Sequence, residues 1–228
     1  MATDGQIVRQ LHDLRTELAP DGEPPALVAA FATGRGRLGV LAELAAQQQR
    51  IITSDRRSLL LLATRCADAP LGAWFAALAD GESAALDTLP ALGSACGLSA
   101  EAVARPPMPG CQAYPAYLAW LALNGRPVAV AAALVANFAA WGRYCAALAE
   151  ALRRHHGFED EACAFFDFFG RPATGPERAA AEAIGAAGLT ARETDAAREY
   201  GRLLQAFEQL FWNTLAELPG GWLDERNV

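Results

Sequence analysis

The sequence runs to 228 residues, 53% hydrophobic and 20% charged, the composition of a folded chain with a sizeable core rather than of a disordered one. Its 19 basic and 26 acidic residues leave a net charge of -7, and no Lys/Arg run follows one predicted face, which excludes a nucleic-acid partner. Five cysteines (Cys66, Cys96, Cys111, Cys145 and Cys163), an odd number without a CxxC pair, fit a reducing cytoplasm better than a disulfide scaffold.

Apolar residues recur at three- and four-residue spacing along nearly the whole chain, and strand-type alternation is almost absent. The expected fold class is therefore all-α, a single-domain helical bundle over residues 1–228. Met1 to Gln10 shows no basic segment leading into an apolar core, so no secretory signal is visible and a cytoplasmic location is expected. Ile7, Leu11, Leu14 and Leu18 mark one face of an opening helix that the Pro20-Asp21-Gly22-Glu23-Pro24-Pro25 cluster stops; this helix and its loop account for residues 1–24. Helical segments follow at Pro25–Thr33, Leu38–Thr53, Asp55–Cys66, Leu71–Ala79, Glu82–Ala95 and Gln112–Leu123. Ala104 to Gly110 is the one linker-like stretch, but the apolar helices after it need partners before it.

A long central helix begins with Pro127 in its first turn and runs to about His156, where Gly157 supplies a left-handed stop and Arg153 and Arg154 suit the terminal dipole. Its stretch Val128 to Leu152 reaches membrane-spanning length. Asn137, Arg143 and Glu150 interrupt that stretch, so it reads as a buried core helix and no membrane association is expected. The last helix opens on Thr190-Ala191-Arg192-Glu193, read as a reciprocal capping box, and closes at Pro219-Gly220-Gly221.

A few polar side chains sit on these apolar stripes. On the last helix Tyr200, Leu204, Phe207, Phe211, Leu215 and Leu218 define the stripe, and Glu208 falls on it. A buried carboxylate must find a donor, take up a proton more readily, or face a solvent-lined cavity. Each outcome makes Glu208 a candidate acid or base; the alternative is a structural glutamate bonded in the core or half-exposed at the stripe edge. On the central helix Leu134, Asn137, Trp141, Cys145, Leu148 and Leu152 share a face, and the Asn137 amide is either a ligand contact or an interhelical hydrogen bond. Tyr114 and Tyr117 carry hydroxyls that either line a pocket or are satisfied at the bundle edge. Asp55, opening Arg56-Arg57-Ser58-Leu59-Leu60, reads most simply as a helix N-cap.

Histidine supply argues against a metal: His155 and His156 are adjacent and diverge by about 100° on a helix, and His12 lies on another segment. No Glu-x-x-His pair, nucleophile elbow or P-loop is present, and no cofactor is expected. Phe165, Phe166, Phe168 and Phe169 read as core or subunit interface, and a homo-oligomer (dimer or tetramer) is expected to cover some of the Phe/Trp clusters.

Four segments in order resemble the TenA/thiaminase II family, whose members have the heme-oxygenase-like all-helical fold and are relatives of the PqqC proteins. Phe207-Glu208-Gln209-Leu210-Phe211-Trp212 resembles the family's Glu-x-x-Phe-Trp signature. Cys111 to Leu118, with Gly125 following, resembles its Tyr-containing helix start. Ala131 to Phe138 resembles the segment ending in its cysteine, and Ser54-Asp55 with Leu59 and Leu62-Ala63 its Gln-Asp helix. The resemblance implies that Glu208 is an acid/base group, that Asp55 holds an aminopyrimidine ring and that Tyr114, with Asn137, Trp141 and Phe211, lines the pocket. Asn137 stands in the cysteine's place and Trp141 where a tyrosine is usual, while the family's Tyr-x-x-Trp element is not evident in Ala164 to Phe168. The implied function is binding of a small aromatic heterocycle, an aminopyrimidine or thiamin-related molecule, with hydrolysis by carboxylates rather than a cysteine. A non-catalytic ligand-binding or regulatory module on the same fold is the first alternative, and an oxidase, disfavoured by the few histidines, the second.

Overall fold

The three-and-four spacing becomes ten α-helices: α1 Asp4–Glu17, α2 Ala26–Ala32, α3 Leu38–Arg65, α4 Pro70–Ala95, α5 Ala100–Ala104, α6 Pro109–Asn124, α7 Pro127–His156, α8 Asp160–Gly170, α9 Thr174–Ala187 and α10 Ala191–Ala216. The computed structural model describes residues 4–20, 22–67, 69–171 and 174–218, and among them no strand occurs. α3 packs along α4, α7 lies against α10, α8, α1 and α2, and α6 bridges α3 and α10.

Two expected breaks are absent. α3 continues through Ser54-Asp55, so Asp55 is not an N-cap but a mid-helix residue. Its hydroxyl neighbours bond back along the helix instead of capping it: Thr53 Oγ1 donates to the Gln49 carbonyl at 2.7 Å and Ser58 Oγ to that of Ser54 at 3.1 Å. The buried run Ile51, Ile52, Asp55, Ser58, Leu59 and Leu62 keeps the segment helical, since packing overrides weak local propensity. α4 likewise passes through Asp80-Gly81 without stopping.

The helix ends are mixed. Pro127 opens α7, and Gly157 at φ +64° closes it in the left-handed region that a side chain would disfavour. Only half of the α10 capping box forms: Thr190 Oγ1 accepts from the Glu193 amide at 3.2 Å, but the Glu193 carboxylate is taken by Arg126, whose Nε donates at 2.9 Å. A charged partner across the bundle outbids the backbone amide of Thr190, which donates to the Gly188 carbonyl at 3.2 Å. The expected stop at Pro219-Gly220-Gly221 lies outside the described residues; α10 ends at Ala216.

The core divides into two apolar clusters, each drawing on helices from both sides of the 104–110 stretch. One gathers α2, the first part of α3, the last part of α4, α8 and the C-terminal parts of α7 and α10; the other gathers α1, α9 and the opposite parts of the same long helices. α7 is the one described helix long and apolar enough to cross a membrane, and 56% of its apolar window is buried inside the bundle.

Candidate functional site

Each long helix changes from one apolar cluster to the other partway along, and a polar side chain marks every change. On α3 Asp55 falls between Ile52 and Leu59, on α4 Glu82 between Ala79 and Ala85, and on α6 Tyr114 between Cys111 and Leu118. On α7 Asn137 falls between Ala136 and Ala140, and on α10 Glu208 between Leu204 and Phe211. The five side chains meet at one level of the bundle and line one cavity of about 80 Å³, together with Gln48, Ile51, Ile52, Phe138, Trp141, Phe169 and Phe211. One water needs roughly 10–15 Å³ on this measure, so side chains do not fill the space.

Of the residues singled out from the sequence, Asp55, Tyr114, Asn137, Trp141, Glu208 and Phe211 line this cavity, and Tyr117 does not. Spacing explains how each helix presents its set: Gln48, Ile51, Ile52 and Asp55 occupy one face of α3, Asn137 and Trp141 are one turn apart on α7, and Glu208 and Phe211 three residues apart on α10. α6 starts flush against α10, because a Cβ at Gly110 would collide with Thr214, and this contact sets Tyr114 one turn later beside the other groups.

The polar groups form a relay. Tyr114 donates its hydroxyl to Asn137 Oδ1 at 3.0 Å, Asn137 Nδ2 donates to Glu208 Oε2 at 2.8 Å, and Trp212 Nε1 reaches Glu208 Oε1 at 3.4 Å. Asn137 thus makes the interhelical bond that its burial demanded and faces the cavity as well. Burial raises Glu208 to about 7, against the opposing pull of the Asn137 and Trp212 donors and the Arg143 charge. A carboxyl at that value is partly protonated near neutral pH, and each oxygen keeps a lone pair beyond those already used.

Asp55 is 6% exposed, and among the described residues its Oδ1 has no hydrogen-bond partner. Burial, then the nearby Glu82 carboxylate, push its carboxyl well above the usual range. Glu82, half-buried, is itself raised to about 7 by burial. Tyr114 is raised by burial and then by Asp55, Glu208 and Glu82 in turn, so its hydroxyl sits in the field of all three acids.

Glu82 was missed in the sequence because the segment was divided at Asp80-Gly81. Read as one helix, Phe75, Ala79, Glu82, Leu86 and Leu89 lie at four-three-four-three spacing, with the acid interrupting the stripe as Glu208 does on α10. Trp212, which closes the Glu-x-x-Phe-Trp resemblance but was given no role from the sequence, is fully buried. The four phenylalanines of α8 separate: Phe165 and Phe166 are core, Phe168 is exposed and Phe169 lines the cavity. Cys145 is buried, raised first by burial and then by Glu208, and does not line the cavity. No histidine lines it, and among the described residues no three His, Cys, Asp or Glu side chains could hold a metal ion.

These features define an all-helical protein with an acid-lined internal pocket, and the chain belongs to the TENA/THI-4/PQQC family, whose sequence model matches residues 26–217. Its fold is heme-oxygenase-like. A Shewanella denitrificans OS217 protein, described as a domain of unknown function with a heme oxygenase-like fold, is similar at TM-score 0.75 and 11% identity, with 94% of this chain and 92% of that one covered. A TenA homolog from Pseudomonas syringae pv. tomato str. DC3000 is similar at TM-score 0.71 and 11% identity over the same shares of 94% and 92%. A TenA homologue from P. horikoshii OT3 is similar at TM-score 0.67 and 17% identity, covering 92% of this chain and 96% of that one. No curated protein matches the chain in sequence.

Proposed function

We propose that the cavity binds a small aromatic heterocycle of the aminopyrimidine or thiamin-related kind and that Glu208 acts on it as a general acid or base. The observation that carries this reading is an open, acid-lined space at the junction of two apolar clusters, with Glu208 held by two donors and poised at about 7. Ile51, Ile52, Trp141, Phe169 and Phe211 offer apolar surface to a flat ring, and the unpartnered Asp55 Oδ1 offers an acceptor to a ring amine.

Covalent catalysis by a thiol has no nucleophile among the cavity's lining residues. Asn137 is an amide, and the buried thiol of Cys145 is held protonated. Cleavage of a C–N bond then uses water: Glu208 takes a proton as the water oxygen bonds to carbon, the C–N bond breaks with its electron pair going to nitrogen, and the protonated Glu208 returns that proton to a departing amine, while a nitrogen that was cationic leaves neutral and needs none. A thermal shift on adding aminopyrimidines or thiamin, lost in Glu208→Gln, is the expected result. No shift across a panel of pyrimidines would remove the ligand assignment, and a shift without turnover would reduce the protein to a binding module.

A further inference from the structure

Glu82 is the one acid of the cavity that neither spacing nor resemblance had marked, and it shares the space with Asp55, whose Oδ1 is buried and, among the described residues, without a hydrogen-bond partner. Both carboxyls line the same cavity, and burial followed by the Glu82 charge raises Asp55. None of the residues lining the cavity is Lys, Arg or His. The nearest candidate cation in sequence, Arg56, is exposed and donates its Nε to Ser83 Oγ at 2.8 Å, tying α3 to α4. Arg143 acts on Glu208, not on this pair.

Two carboxyls facing one low-dielectric space favour a single proton or a single positive charge between them. When both ionise, the missing charge must come from the ligand, and a planar group with two adjacent N–H donors matches two acceptors best. We propose that Glu82 is a specificity-determining residue which, with Asp55, forms a two-carboxyl edge selecting ligands that present a cationic amidinium-like edge over their neutral isosteres. This rests on the ligand reading above and narrows it: the bound ring carries its positive charge next to its amine, at the α3–α4 side of the cavity.

The test compares benzamidine, a planar cation, with benzamide, a neutral group of nearly the same shape, by calorimetry alongside an aminopyrimidine. Benzamidine should bind the wild-type protein about 10-fold or more tightly than benzamide, as a charge-assisted pair requires. Glu82→Gln should bring that ratio close to one, mainly through weaker benzamidine binding, and should raise the melting temperature at neutral pH because a carboxyl raised to about 7 by burial is removed. Asp55→Asn, equally conservative in size, should lower the ratio as well. An aminopyrimidine that binds with no preference for the cation, or a preference untouched by Glu82→Gln, overturns the role of Glu82 and leaves the heterocycle reading standing. Failure of all three compounds to bind the wild-type protein overturns both.

Discussion

α3 carries two buried polar regions about two turns apart, and they are resolved in opposite ways. Toward its start, Glu43 and Gln47 are 5% and 1% exposed, and their polar atoms have close partners. Gln47 Nε2 donates to Glu43 Oε1 at 3.1 Å, Gln47 Oε1 accepts from the Met108 amide at 3.3 Å and from Gln112 Nε2 at 3.2 Å, and Arg105 pairs with Glu43 at 3.3 Å. Further along, Asp55 is buried just as deeply, yet among the described residues its Oδ1 has no partner, and it shares a cavity with another acid. The first region anchors the segment before α6 onto α3, a structural task that ends when every group is paired. The second keeps unspent hydrogen-bonding capacity, which costs stability and is retained where something else is to be bound.

Breaking the second region should show mainly in chemistry. Glu208→Gln removes the titrating group and should lower turnover of a cleavable aminopyrimidine substrate by about 10²–10⁴-fold, as loss of a general acid or base does, measured by steady-state kinetics at neutral pH. The same carboxyl sharpens the contrast through pH. Its folded value of about 7 lies above the ordinary 4.5, so the folded state holds more protons between the two. The stability it contributes is complete below about 4.5 and is lost as the pH rises through 7, by about 3 kcal/mol at most. Urea denaturation from pH 5 to 8 should therefore show wild-type stability falling relative to Glu208→Gln; parallel curves would mean the carboxyl is not strained by burial. Gln47→Leu, aimed at the paired region, should cost about 1–3 kcal/mol by leaving Glu43, Gln112 and the Met108 amide short of partners. Its thermal shift with an aminopyrimidine should match wild type, and loss of that shift would show that the two regions are not independent.

Much of this was legible along single helices. The 3.6-residue stripes specified an all-helical chain, and Glu208 and Asn137 were visible because each interrupts an otherwise apolar face. Gly157 and Pro127 marked the ends of α7 by backbone preferences that need no neighbour. Local rules failed where a partner from elsewhere in the chain decided the outcome. Asp55 resembled a cap until packing carried α3 past it, Glu193 resembled half of a capping box until Arg126 claimed it, and Glu82 hid behind a glycine that α4 runs through.

By itself, then, the sequence determined which helices form and which of their faces carry a misplaced polar group, since both follow from the period of the helix and the cost of burying charge. Only the tertiary structure decided that five such groups on five helices stand at one level and enclose a common cavity. Level and neighbour depend on how helices slide and cross against one another, and that is settled by contacts between residues far apart in the chain.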